Sequence, residues 1–222
     1  MARIVIIGGH GKVALLAVPL LVEAGHEVTA VIRKPEQSED LVAVGAQPLV
    51  LDIETGSVEE LNDALRGHDV VVWSAGAGGG SPERTYAVDR DAAIRSVDAA
   101  LAAEVTRYVM VSYFGAGPDH GVPEDNGFFA YAEAKSAADA YLAASGLDHV
   151  ILRPSGLTDG AASGTIEWGE GIEAATVSRG NVAQVIAVVV DAAPTASESS
   201  APTGRVIEFN DGDRPVSELA AG

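Results

Sequence analysis

The chain has no cysteine among its 222 residues. Structural disulfides and thiolate metal sites are therefore excluded. Lysine is nearly missing as well, with Lys12, Lys34 and Lys135 making up the whole set. Acidic residues outnumber basic ones by 32 to 14, for a formal net charge of −18. Such a surface repels phosphate backbones and anionic membranes, so neither nucleic acid nor a membrane is expected as a partner. The acidity itself reads as solubility, or as the habit of a salt-rich or GC-rich source. No stretch approaches the roughly 20 apolar residues of a membrane-spanning helix. The opening "RIVIIGG" breaks at glycine at once, unlike a signal peptide. The five histidines are scattered without ligand spacing, so no metal site is expected. A soluble, cytoplasmic protein follows as the expectation.

What is present is an alternating pattern. Hydrophobic residues make up 47% of the chain, enough for a folded core, and the length suits one domain spanning 1–222. "RIVIIG" reads as a strand, followed by a helix, "GKVALLAVPLLVEAG", closed by Gly25. "HEVTAVIR" is a second strand, with a short helix ending near Gly45. "AQPLVLD" is a third, followed by "SVEELNDALRG", a helix with Ser57 as its N-cap and Gly67 as its stop. "HDVVVWSAG" is a fourth strand, and residues 83–104 read as one long helix. "VTRYVMVS" is a fifth strand, 129–145 a helix, and "LDHVILRP" a sixth strand. This rhythm predicts an α/β fold with a doubly wound, mostly parallel sheet of Rossmann type. Beyond Pro154 the pattern weakens. Residues 155–222 are expected to form a small substrate-side lobe, with a helix in "RGNVAQVIAVVVDAA", a polar loop in "APTASESSAPTG" and a closing strand in "RVIEFN". There is no repeat of solenoid type.

The first strand runs into "GGHGKVA". Gly8, Gly11 and Ala14 fit G-x-x-G-x-x-A, and Gly9, Gly11 and Ala14 fit G-x-G-x-x-A. Glycines let the backbone approach a pyrophosphate, and the following helix aims free N–H groups at it. Strand before and helix after are the context that such a motif needs. The second strand ends in Arg33-Lys34, where NAD enzymes carry an acid for the ribose hydroxyls. A cation there suits a 2′-phosphate, so NADP(H) is expected over NAD(H). Lys12 adds to it. Asp52, ending the third strand, either accepts from the adenine amino group or merely starts a turn.

Ser112 ends the fifth strand, and ligands of this fold bind outside the carboxyl ends of strands. Tyr131 and Lys135, four apart in "YAEAK", share a helix face. A lysine beside a tyrosine lowers the phenol's pKa, so that it can exchange a proton with a substrate oxygen held by the serine. His120 lies in "GPDHGVPEDNG", which reads as a mobile loop over the site, and is either a substrate contact or an exposed loop histidine. Phe114, Phe128, Phe129 and Trp168 either wall a substrate or pack the C-terminal lobe.

These stretches resemble an atypical short-chain dehydrogenase/reductase of the NAD(P)-binding branch that includes NmrA-like and biliverdin-reductase-B-like proteins. The likeness spans nearly the whole chain. It is most specific in "YAEAKSAADAYLAASGLDHVILRPSGLTDG" and "VSRGNVAQVI". It implies that Gly8, Gly9, His10, Gly11 and Lys12 line the pyrophosphate. It places Arg33 and Lys34 at the adenosine phosphate, Asp52 and Ile53 at the adenine, Ala75 and Gly76 near the ribose, and Pro154 to Leu157 against the nicotinamide. Ser112, Tyr131 and Lys135 match the family's catalytic serine, tyrosine and lysine. Two departures stand out: Ala14 replaces the last loop glycine, and Asp89 stands where many relatives have an asparagine. The short stretch after Pro154 argues against a sugar-nucleotide epimerase. A small carbonyl or alcohol is the implied substrate of a monomer or homodimer. The loops at 113–128 and 155–175 choose it. The same family also contains non-catalytic cofactor sensors.

Overall fold

The computed structural model describes residues 1–192 and 204–221. Its centre is a parallel sheet built from β-branched runs: β1 (Arg3–Ile7), β2 (Glu27–Ile32), β3 (Gln47–Val50), β4 (Val70–Trp73), β5 (Arg107–Val111) and β6 (Asp148–Pro154). Strands buried on both faces read as continuous apolar runs rather than alternating ones, and β4 is buried at all four residues. The helices between them are α1 (Lys12–Glu23), α2 (Ser38–Ala43), α3 (Val58–Leu65), α4 (Pro82–Thr85), α5 (Ala93–Ala102) and α6 (Phe129–Ala144).

After β6 come β7 (Gly156–Thr158), β8 (Thr165–Trp168), β9 (Thr176–Ser178), α7 (Arg179–Asp191), β10 (Gly204–Asp211) and β11 (Arg214–Pro215). The main sheet has nine strands in the order β11-β8-β10-β6-β5-β4-β1-β2-β3. Strand β10 runs parallel to β6, while β8 and β11 add antiparallel at the edge. Strands β7 and β9 pair separately. The strand order thus reverses between β1 and β4, where an open α/β sheet forms its ligand crevice.

Side-chain alternation divides the core into two layers. Ile4 and Ile6 of β1 face one way, into the cluster under α1 and α7. Val5 and Ile7 face the other, under α3, α5 and α6. The predicted stops hold: Gly25, Gly45 and Gly67 all have left-handed φ. Ser57 forms a full capping box with Glu60, accepting from its N–H at 3.2 Å and donating its own N–H to the carboxylate at 2.9 Å.

The long helix expected over 83–104 is interrupted. Residues Tyr86–Ala92 form a π-helical turn between α4 and α5. Such wide turns concentrate at functional sites. It packs against α6 and carries Asp89 inward, 1% exposed. The short strands β7, β8, β9 and β11 went unforeseen, because two to four residues are too few to show a period. The polar loop expected in "APTASESSAPTG" lies outside the described residues except for Gly204.

Candidate functional site

The glycine loop turns at the switch point between β1 and β4. Gly8 has φ +85°, and a Cβ there would lie 2.6 Å from the Ala75 Cα. A Cβ on Gly9 would lie 2.6 Å from the Ala30 Cβ. Both glycines are therefore demanded by neighbouring strands as well as by any ligand. Gly11 caps α1 and donates its N–H to the Gly8 carbonyl at 2.9 Å. No side chain caps α1, and no acidic residue sits in its first turn. Its free N–H groups and positive end are open to an anion. Ala14 is 1% exposed and lets helix and sheet approach closely. These residues fit a dinucleotide pyrophosphate.

Around the loop, two predicted side chains are already engaged. The His10 Nε2 lies 2.7 Å from the Asp40 carboxylate, and its Nδ1 faces the Gln37 amide at 3.2 Å. Its ring is thus tied to α2 rather than aimed at the loop. Lys12 pairs with Asp159 at 3.1 Å, and Arg179 reaches the same carboxylate at 2.7 Å. Asp159 and Arg179, distant in sequence, went unpredicted beside the loop.

The residues expected to meet the adenosine follow the ends of β2, β3 and β4. Arg33 and Lys34 are exposed there, with side chains 49% and 55% accessible. Asp52 accepts the Glu54 N–H at 3.0 Å, so it forms a turn, the plainer of its two readings. The Ile53 carbonyl accepts from Arg95 at 2.9 Å. Ala75 backs Gly8, and Gly76 faces Asp89, whose Oδ1 would lie 3.1 Å from a Cβ at that glycine. Asp89 accepts the Ala77 N–H at 3.0 Å, which fixes the loop after β4. Its Oδ1 has no partner among the described residues.

The chemistry end is built on α6. Tyr131, Lys135 and Asp139 recur every four residues and share one face. Lys135 is 1% exposed and donates to the Val111 carbonyl at 2.6 Å. Burial lowers its pKa, while Asp139 and Asp89 act to raise it. Burial raises both carboxyl groups in turn, against the pull of Lys135. Tyr131 sits between rings, its centroid 5.6 Å from Tyr113 and 5.1 Å from Phe128. Among the described residues nothing hydrogen-bonds its hydroxyl.

Two expectations about this end are corrected. The Tyr131 pKa is raised rather than lowered, first by burial, then by Asp89, Asp139 and Tyr113. The Lys135 ammonium is drawn to the Val111 carbonyl and two carboxylates instead of serving the phenol. Ser112 donates to Asp139 at 2.8 Å, two helical turns, or about 12 Å, along α6 from Tyr131. Its proton is committed to that carboxylate, which also accepts from Arg153 at 3.2 Å. The residue that does stand beside Tyr131 is Tyr113, one place after the serine.

The loop expected over the site is tied to the body of the fold at several points. His120 lies 2.8 Å from Glu133 on α6, with its side chain almost covered. Gly117 donates to the Ser136 hydroxyl at 2.9 Å, and Gly115 to Glu208 at 3.1 Å. Of the flanking aromatics, Phe128 walls the tyrosine, while Trp168 packs on the sheet beneath the Arg214 guanidinium, 3.5 Å from its ring centre. Pro154 is buried and its carbonyl accepts from Phe114 at 2.9 Å; Leu157 is 40% exposed. No group of three His, Asp or Glu able to hold a metal occurs among the described residues. No helix among them is long and apolar enough to cross a membrane.

Strand order, glycine loop and open helix end define a Rossmann-type dinucleotide-binding protein. The chain belongs to the NAD(P)H-binding family, whose model matches residues 8–193. It is 32% identical over 218 residues to a Bacillus subtilis protein named an uncharacterized sugar epimerase, YhfK, covering 97% of each chain. A solved structure from Bacillus halodurans, described provisionally as an NAD-dependent epimerase/dehydratase, superposes with a TM-score of 0.87 at 28% identity, over 100% of this chain and 99% of that one. The anaerobilin reductase ChuY of Escherichia coli O157:H7 superposes at 0.74 with 25% identity, over 95% and 98%. The family is thus one of NAD(P)-binding oxidoreductase- and epimerase-like proteins; the resemblance implied its NAD(P)-binding, reductase side.

Proposed function

We propose that the chain is an NADP(H)-dependent oxidoreductase of the short-chain dehydrogenase/reductase type, acting on a small carbonyl or alcohol. One observation carries this: Tyr131 presents a phenol free of protein hydrogen bonds, one helical turn from Lys135, at the strand ends where the glycine loop opens. A bound nicotinamide supplies or accepts the hydride. The raised pKa keeps the phenol protonated, which suits it to donate a proton to a carbonyl oxygen being reduced. Tyr113 and Phe128 make an apolar wall that favours a planar, conjugated carbonyl. Burial, with Asp89 and Asp139, sets the field in which Tyr131 gives up and regains its proton. Exposed Arg33 and Lys34 support NADP(H) as the cofactor.

A screen of carbonyl, quinone and flavin substrates with NADPH and NADH tests the proposal. Turnover with NADPH is expected, and Tyr131→Phe should lower it by about 10²–10⁴-fold. Absence of turnover with both cofactors, or an unimpaired Tyr131→Phe variant, rejects the proposal.

A second reading has its own support. The commitment of Lys135 to Val111 and of Ser112 to Asp139 suits a cofactor-sensing regulator without catalysis. That reading expects NADP(H) binding, a protein partner and no turnover.

A further inference from the structure

The adenosine end holds an ionic triad that the glycine motif does not require. The Glu54 Oε2 lies 3.1 Å from Arg84 Nε and 4.0 Å from Arg33 Nη1. Arg33 follows β2, Glu54 lies in the loop after β3, and Arg84 sits on α4 after β4, so three separate elements converge on one point. The backbone around Glu54 is fixed on both sides. Its N–H donates to Asp52, and its carbonyl accepts from Arg95 at 3.1 Å. Arg84 is aimed by a second bond, from its Nη1 to the Ala77 carbonyl. Two guanidinium groups thus face one anion. That anion belongs to the protein.

We propose that Arg84 is a second specificity-determining cation for the 2′-phosphate of NADP, and that Glu54 is its resident competitor. This rests on the NADP reading of Arg33. A guanidinium pair flanking one oxygen suits a phosphate, which offers several acceptors at once. The side chains are 49% (Arg33), 35% (Arg84) and 28% (Glu54) exposed. Ion pairs so accessible are weak, so the carboxylate can swing away without large cost. With no 2′-phosphate it stays and neutralises the arginines. The triad then discriminates in both directions: it welcomes a dianion able to displace Glu54, and it offers an unphosphorylated ribose nothing extra.

Calorimetric titration with adenosine 2′,5′-bisphosphate and adenosine 5′-monophosphate isolates this end from any turnover. Glu54→Gln keeps the shape and removes the charge. It should tighten the bisphosphate by about three- to tenfold and move the monophosphate by less than about twofold. Arg84→Gln should weaken the bisphosphate by roughly tenfold and spare the monophosphate, and Arg84→Lys should recover part of the loss. A Glu54→Gln variant that binds the bisphosphate no better overturns the competitor role. An Arg84→Gln variant that loses both nucleotides equally shows that Arg84 merely props the loop after β4. Wild-type protein that does not prefer the bisphosphate overturns the proposal whether or not the protein turns over NADPH. Selective binding without turnover leaves it standing and rejects only the reductase.

Discussion

The two ends of the cleft carry charge in opposite ways. At the proposed adenosine end, Arg33 is exposed, Arg84 and Glu54 are half-buried, and the longest contact among them is 4.0 Å. At the α6 end, Lys135, Asp139 and Asp89 are 1%, 3% and 1% exposed. Water screens the first set, so a ligand can re-aim those side chains at small cost. The second set has left water, and the charge of each acidic group acts on Lys135 across the core. On the proposed reading, recognition falls where charge is adjustable and proton chemistry where it is not.

The largest effect that separates these ends is on stability. Lys135→Met removes the ammonium facing Asp89 and Asp139 and leaves both carboxyl groups in the core. Leaving buried carboxylates short of an opposing charge in this way costs up to about 3–5 kcal/mol. Arg33→Met, on an exposed side chain, should stay within about 0.5 kcal/mol. Urea denaturation of both variants reads the contrast directly. Equal losses would show that the α6 charges are no more committed than those at the surface.

The sequence showed these ends unequally. The βαβ order, the glycine loop and the Ser57 cap are local signals, written within a few residues of one another. Lys135 was found because it lies one turn from Tyr131. Its surroundings were hidden, since Val111 and Asp89 reach it from other elements. The motif expects Ser112 to hold a substrate oxygen, but its hydroxyl donates to Asp139, a partner 27 residues away. The π-helical turn has no sequence period of its own, and 86–92 read as ordinary helix. Glu54 and Arg84 belong to no motif and lie 30 residues apart, and the fold brings them together.

A smaller effect sharpens the adenosine side. Arg33→Ala should weaken NADPH by roughly ten- to a hundredfold, since a charge-assisted pair with the 2′-phosphate is worth about 1.5–3 kcal/mol. NADH should hardly change. Lys34→Ala should act in the same direction but less, because a lysine is a point charge on a flexible stem. Calorimetry with both cofactors checks this. Wild-type protein binding NADH as tightly as NADPH would mean that the cations at this end recognise no phosphate.

The smallest effect concerns Asp89, the departure from the relatives' asparagine. Burial raises its pKa above the ordinary 3.8, against the opposing pull of Lys135, the Ala77 N–H and Arg84. The folded chain therefore holds this proton more tightly than the unfolded one. The stability tied to it is fully present below the unfolded value and is lost as pH rises through the folded value. Asparagine keeps an oxygen for the Ala77 N–H and cannot ionise. Asp89→Asn should therefore be more stable than the parent at pH 8 by about 1 kcal/mol, within the gain seen when a poorly solvated charge is removed. The difference should shrink as the pH falls towards 4. Urea denaturation at several pH values measures it. A variant that is less stable at pH 8 would show that the ionised carboxylate is wanted by Lys135 more than it is penalised by burial. Asp89 would then belong with the committed charges as a full partner of the ammonium.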